Sequence, residues 1–242
     1  MTVKEVKELI STKIFAHCTD AILSIVLDKP RNEIKDEDYI SEENAKYCEE
    51  FASDFTKSYE LIYQRGKTYF MDNPLIITKD VFPPVFATER FINEILNKFG
   101  EKKKILEIGT GSGAMSIAIA KNNASYEIVA TDISDEILDI AKKNIELNMV
   151  NNIKLIKSDL FNNITEKFDL IFSNPPQQKT KNLNKAEKDG TLITPRVASD
   201  GGEDGFDLYN KIKEQAKNYL NEDGILLLQH DGNTNIYKYE EL

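Results

Sequence analysis

The chain has 242 residues, 40% hydrophobic and 30% charged, enough apolar material for one large domain or two small ones. A formal charge of −10 disfavours undirected binding to nucleic acid, which needs a basic footprint. Cys18 and Cys48 have no CxxC or Cys/His spacing to suggest a disulfide framework or a zinc site, the absence of CxxxCxxC argues against a radical cluster, and no metal is expected.

From Thr2 to about Ser58, apolar residues recur at helical spacing: Val6, Leu9 and Ile10, then Ala21, Ile22, Ile25 and Val26, then Ala45, Phe51 and Phe55. The run Ala21 to Leu27 is too short to span a bilayer, and the mixed charges of Lys4, Glu5, Lys7 and Glu8 are not the flank of a signal peptide. A cytoplasmic location with no membrane partner is expected. Lys29-Pro30-Arg31-Asn32 reads as a break between helices and Ser41 as a helix cap. Lys67 to Met71 and Leu75 to Thr78, separated by Asp72-Asn73-Pro74, predict a β-hairpin leading to a second domain, so the expected division is 1–80 and 81–242.

Beyond a predicted helix from Phe86 to Lys98, strands and helices alternate. Strands are predicted at Lys103 to Ile108, Tyr126 to Thr131, Ile153 to Lys157, Phe168 to Ser173 and Ile225 to Gln229. Helices are predicted at Ala114 to Asn122, Asp135 to Asn148 and Phe206 to Asn221. The alternation predicts an α/β fold with a doubly wound, mainly parallel sheet. Gln177 to Gly205 is left as one long irregular stretch, of the kind that is usually functional or disordered.

Gly109, Gly111 and Gly113 lie where the first of these strands turns into a helix. Without Cβ atoms the backbone can adopt positive φ and approach a ligand, and the helix start favours an anionic group. Thr110 completes the turn, and Asp132 with Ile133, about 20 residues on at a strand end, is placed to bind ribose hydroxyls. These features fit a dinucleotide as well as S-adenosylmethionine. Glu107, just before the first glycine, tilts the reading to S-adenosylmethionine because a phosphate site would not want that charge. Asp159 and Leu160 close the third strand, where a carboxylate could accept from an adenine amine.

Asn174-Pro175-Pro176 follows the buried-looking strand Phe168 to Ser173. A target NH2 must aim its lone pair at the methyl donor, and Asn174 Oδ1 with the Pro175 carbonyl can hold its hydrogens. Consecutive prolines fix φ and remove donors, which leaves that carbonyl free. Asn174 would therefore touch both cofactor and substrate, with Gln177 next in line on the substrate side. A plain Asn-Pro turn is the bland alternative. His17 and His230 read as structural residues.

The segments Glu107 to Gly113, Thr131 to Ser134, Ser158 to Phe161, Asn174 to Pro176, and Pro195-Arg196-Val197-Ala198 leading into Asp200 to Gly205 resemble the HemK/PrmC family of release-factor glutamine methyltransferases. The resemblance implies a Rossmann-like class I methyltransferase domain behind a helical substrate-recognition domain. It implies S-adenosylmethionine as cofactor, S-adenosylhomocysteine as product, and N5-methylation of a glutamine in a translation release factor. The chain departs from the family pattern in having Gln177 where Tyr usually follows the prolines, and in lacking Pro-Arg-Pro-Glu before Thr88-Glu89. Twelve residues follow His230, so the usual C-terminal strand pair is expected to be short or absent, with Ile225 to Gln229 left as a sheet edge from a shortened or divergent C-terminus.

Two other readings stay open. Lys179, Lys181, Lys185, Lys188 and Arg196 could bring an RNA or DNA base amine to the site, although a charge run is more often a solvated loop, Thr180, Asn182 and Asn184 add no periodic face, and position 177 offers no base-stacking aromatic. A binder of S-adenosylmethionine without turnover is the second.

Overall fold

A computed structural model describes residues 1–14, 16–98 and 103–242, the side chains of residues 16, 17 and 98 excepted, so the expectation for His17 falls outside the described residues. The chain forms two compact units, Met1–Thr78 and Lys79–Leu242.

The first unit holds α1 (Val3–Ser11), α2 (Ala16–Leu27), α3 (Glu42–Ser53) and α4 (Ser58–Arg65), followed by β1 (Lys67–Phe70) and β2 (Asn73–Ile76). Thr2 and Glu5 form a reciprocal capping box at the start of α1, and Ser41 caps α3 by accepting from the Asn44 amide. Among the described residues four α-helices form, where periodicity alone gave no boundary after Ser58. The last is short, and Gly66 ends it in the left-handed conformation at φ 67°. The hairpin differs from its expected register: its turn is Met71-Asp72, at φ 47° and 63°, and Asn73 and Pro74 pair with Phe70 and Tyr69. Two consecutive left-handed residues give the turn whose twist matches antiparallel strands, and the chain builds it without glycine.

The second unit begins with α5 (Phe86–Lys98) and alternates β3 (Lys104–Ile108), α6 (Ala114–Asn122), β4 (Glu127–Asp132), α7 (Asp135–Leu147), β5 (Ile153–Lys157) and β6 (Phe168–Ser173). Then come α8 (Thr180–Lys188), α9 (Asp207–Ala216), β7 (Leu220–His230) and β8 (Asn233–Lys238). The six strands lie in the order β5-β4-β3-β6-β7-β8, all parallel except β8. The expected doubly wound sheet is therefore present. Its inner strands are continuous buried runs, such as Leu170, Ile171 and Phe172, because helices cover both faces. Phe91 of α5 meets Phe172 edge-on, with ring centroids 6.1 Å apart. Burying each such side chain contributes about 1.5–3 kcal/mol.

Two expectations change here. The C-terminal strand pair is short but present: β8 pairs with β7 from Ile225↔Lys238 to His230↔Asn233, so Ile225 to Gln229 is not an edge. Tyr237 of β8 is fixed to α9 by a 2.7 Å hydroxyl contact with Tyr209. The stretch Gln177 to Gly205 is not irregular throughout, because α8 forms within it and buries Leu183. That helix also supplies the periodicity that the sequence reading missed: Lys181, Lys185 and Lys188 follow i, i+4, i+7 spacing and are exposed. Among the described residues no helix is long and apolar enough to cross a membrane.

Candidate active site

The strand order reverses between β3 and β6, since β4 and β5 extend to one side and β7 and β8 to the other. A crevice opens at such a reversal, outside the carboxyl ends of the strands. Ile108 pairs with Ser173 there, and the Ser173 hydroxyl donates to the Ile108 carbonyl at 2.8 Å. That register puts the glycine turn after β3 next to Asn174 after β6.

A cavity of 430 Å³ fills the crevice, within the usual range of about 300–1,000 Å³ for small-molecule sites. Gly109, Thr110, Gly111, Asp132, Ile133, Asp159, Leu160, Asn174, Pro175, Pro176 and Gln177 all line it. Gly109 and Gly111 have φ of 73° and 56°, and a Cβ on either would project into open space. The turn thus offers bare backbone to a ligand. Gly113 does not line the cavity; it lies at the base of α6 at φ 80°, where a Cβ would be in van der Waals contact with Ala141 at 3.5 Å.

Asp132, 8% exposed, accepts from the Gly111 amide at 3.0 Å and from the Ile133 amide at 2.8 Å. Burial raises its pKa while these amides oppose the rise. Its carboxylate retains lone pairs for hydroxyl donors. Asp159 is exposed at the cavity rim, and the Ser158 hydroxyl shapes the turn beneath it by donating to the Leu160 carbonyl at 2.9 Å.

Glu107 is fully buried behind the turn and is not a lining residue. Its Oε2 accepts from the hydroxyls of Thr110, at 2.8 Å, and Ser116, while Oε1 is buried with no hydrogen-bond partner among the described residues. Burial pushes its carboxyl up to about 8, against the lowering effect of the Ser116 and Thr110 hydroxyls, with Asp132 adding a further rise. In this arrangement Glu107 organises the glycine turn from below. An open glycine cradle, a buried ribose-type acceptor in Asp132 and an apolar wall including Leu160 and Ile137 fit a nucleoside cofactor.

Two further parts of the cavity come from segments that the sequence reading noted without assigning site residues in them. Asp80 to Pro84 line it ahead of α5 and Thr88 from the first turn of that helix, and Val197, Ala198 and Ser199 line it after α8. The second group belongs to a brace beneath the Asn-Pro-Pro turn. Gln178 donates to the Ser199 carbonyl and accepts from the Gly201 amide, each at 2.8 Å. Thr180 and Arg196 side chains both reach Asp200, at 2.6 and 3.0 Å, and Arg196 also pairs with Glu187 at 2.6 Å. Gly201 and Gly205 allow this approach: a Cβ on Gly201 would lie 2.7 Å from the Pro176 carbonyl, and one on Gly205 2.5 Å from the Gln177 carbonyl. The cluster Asp200-Gly201-Gly202-Glu203-Asp204-Gly205 was the available signal, but nothing local named its partner. His230 stacks on Phe206, with centroids 3.9 Å apart, and its Nε2 lies 3.3 Å from the Gly205 carbonyl, a packing role consistent with its sequence reading.

The family description "Methyltransferase small domain" matches residues 85–194. A release factor glutamine methyltransferase from Streptococcus pneumoniae is 34% identical over 190 residues, 78% of this chain and 68% of the relative. The chain belongs to the release factor glutamine methyltransferase family. The methyltransferase class and fold expected from the paired motifs therefore hold. The relative of the same name from Thermodesulfovibrio yellowstonii is 33% identical, over 72% of this chain and 64% of its own length. A ribosomal protein uL3 glutamine methyltransferase from Francisella tularensis subsp. tularensis is 31% identical, over 68% of this chain and 52% of its own length. The chain thus spans about two thirds of the two release-factor relatives and about half of the uL3 relative.

Proposed function

We propose that this protein is an S-adenosylmethionine-dependent N-methyltransferase that methylates a glutamine side-chain amide in a translation release factor. The observation that carries the reading is the placement of Asn174 and Pro175 in the same cavity wall as the glycine turn, one residue past the Ile108↔Ser173 pair. The names of the relatives add a shared acceptor chemistry, since both kinds are glutamine methyltransferases and differ in the protein that carries the glutamine.

Gly109, Thr110 and Gly111 would hold the cofactor's backbone-facing side, Asp132 its ribose, and Asp159 and Leu160 its base. When bound, S-adenosylmethionine supplies an electrophilic methyl group on a sulfonium. The protein's own task is alignment. An amide nitrogen is a poor nucleophile, and Asn174 Oδ1 with the Pro175 carbonyl would accept its two hydrogens and turn its lone pair toward the methyl group. Pro176 gives the Pro175 carbonyl no following N–H and stiffens the turn. Orientation of this kind can supply on the order of 7–11 kcal/mol of the barrier. The helical unit Met1–Thr78 is assigned to recognition of the acceptor protein.

The exposed lysines of α8 keep a nucleic-acid amine as the rival acceptor, but Arg196 is engaged by Glu187 and Asp200 and belongs to the brace. Labelled S-adenosylmethionine and lysate from cells lacking the activity separate the two. Protease-sensitive label is expected, and nuclease-sensitive label would transfer the assignment to a base amine.

A further inference from the structure

Gln177 stands in a wall shared by two cavities, the 430 Å³ crevice and a second space of 360 Å³ lined by Lys179, Asn182, Phe206 and His230. Its backbone is fixed by the close approach of Gly201 and Gly205. Its side chain is held at both ends. The Asp231 amide, at the turn between β7 and β8, donates to Gln177 Oε1 at 2.5 Å, and Gln177 Nε2 donates to Asn174 Oδ1 at 3.2 Å.

The donor inventory fixes the direction of this bridge. A backbone N–H can only donate, so the Gln177 oxygen must face Asp231 and its NH2 must face Asn174. Asn174 in turn must present its oxygen. The atom assigned to receive the acceptor's NH2 is therefore already receiving an NH2, from a carboxamide of the same chemical type as the acceptor's.

We infer that Gln177 is an internal occupant of the acceptor subsite, a specificity-determining residue whose carboxamide must release Asn174 Oδ1 before the acceptor's carboxamide is aligned. The identity of the acceptor rests on the glutamine reading given above. Exchange of one carboxamide contact for another is close to neutral in free energy, because each donor–acceptor pair that forms replaces one of the same kind. A lone carboxamide thus displaces Gln177 only at high concentration, and discrimination shifts to acceptors that bring contacts elsewhere.

The experiment has two arms. In the first, Gln177→Leu keeps side-chain bulk and removes both hydrogen bonds. With a purified release factor as acceptor, KM is expected to fall about two- to ten-fold, the value of one net hydrogen bond, while kcat moves less than KM. A KM that rises or stays the same would overturn the inference. The second arm uses the wild-type protein and does not depend on turnover. Side-chain amide signals of Gln177 are followed by NMR in the presence of S-adenosylhomocysteine while N-acetyl-glutaminamide is added. They are expected to move toward their positions in Asn174→Ala, where the contact is absent. Unmoved signals at saturating carboxamide would show that the oxygen is shared rather than released, and would overturn the inference. Failure of the release factor to accept methyl would count against the acceptor assignment alone, since the NMR arm would still report whether a carboxamide displaces Gln177.

Discussion

The Gly111 amide donates to Asp132 Oδ2 across 3.0 Å, which ties the glycine turn after β3 to the end of β4. One carboxylate thus shapes the cradle and presents an acceptor to what lies in it. Asp132→Ala removes both, and cofactor affinity measured by calorimetry is expected to fall by about 10-fold or more, in line with about 1.5–3 kcal/mol for hydrogen bonds to a charged group. Unchanged affinity with lost turnover would place Asp132 on the acceptor side instead.

Asn174→Ala is expected to behave in the opposite way. Cofactor affinity should be largely kept while methylation falls by about 10- to 100-fold, consistent with about 1–3 kcal/mol for a lost polar contact at the reacting group. Equal losses in affinity and turnover would contradict the alignment role.

The fold's strands were legible because Val, Ile, Leu and Phe cluster in short runs, and the two motifs were legible because glycines and prolines at strand ends have few other uses. What escaped was structure specified by distant partners. The β8 sequence Asn-Thr-Asn-Ile-Tyr-Lys has no clear apolar alternation, and its place comes from pairing with β7 and from Tyr237 meeting Tyr209. The α8 segment carries one buried apolar residue, Leu183, in a run of Lys and Asn, so its period was hidden. Glu107 was read as a ligand contact because of its position beside Gly109, whereas its burial behind the turn follows from β3 being a central strand.

Burial of Glu107 has a thermodynamic signature. Its folded-state pKa of about 8 lies above the ordinary 4.5, so the folded protein binds the extra proton between these values. Its contribution to stability is then fully present below about pH 4.5 and is lost as pH rises toward 8. The melting temperature of the unliganded wild type should therefore decline over this window more steeply than that of Glu107→Gln, which cannot ionise. Parallel curves would contradict the assignment.

The brace predicts that the Asn-Pro-Pro turn is sensitive to small residues far along the chain. Gly205→Ala places a Cβ 2.5 Å from the Gln177 carbonyl at a φ of 91°, and is expected to cost about 1–3 kcal/mol of stability. Turnover should fall further than the loss of folded protein explains, because the acceptor carbonyls shift with the turn. Denaturant unfolding and kcat on the same preparation check this, and wild-type values for both would remove the brace from the account.

The most direct test incubates the purified protein with S-adenosylmethionine and a purified release factor and maps the product by peptide mass spectrometry. One methyl group on a glutamine side chain, formed about 10- to 100-fold more slowly by Asn174→Ala, is the predicted result. A release factor that remains unmodified while the same protein preparation transfers methyl to RNA or DNA would contradict the central claim.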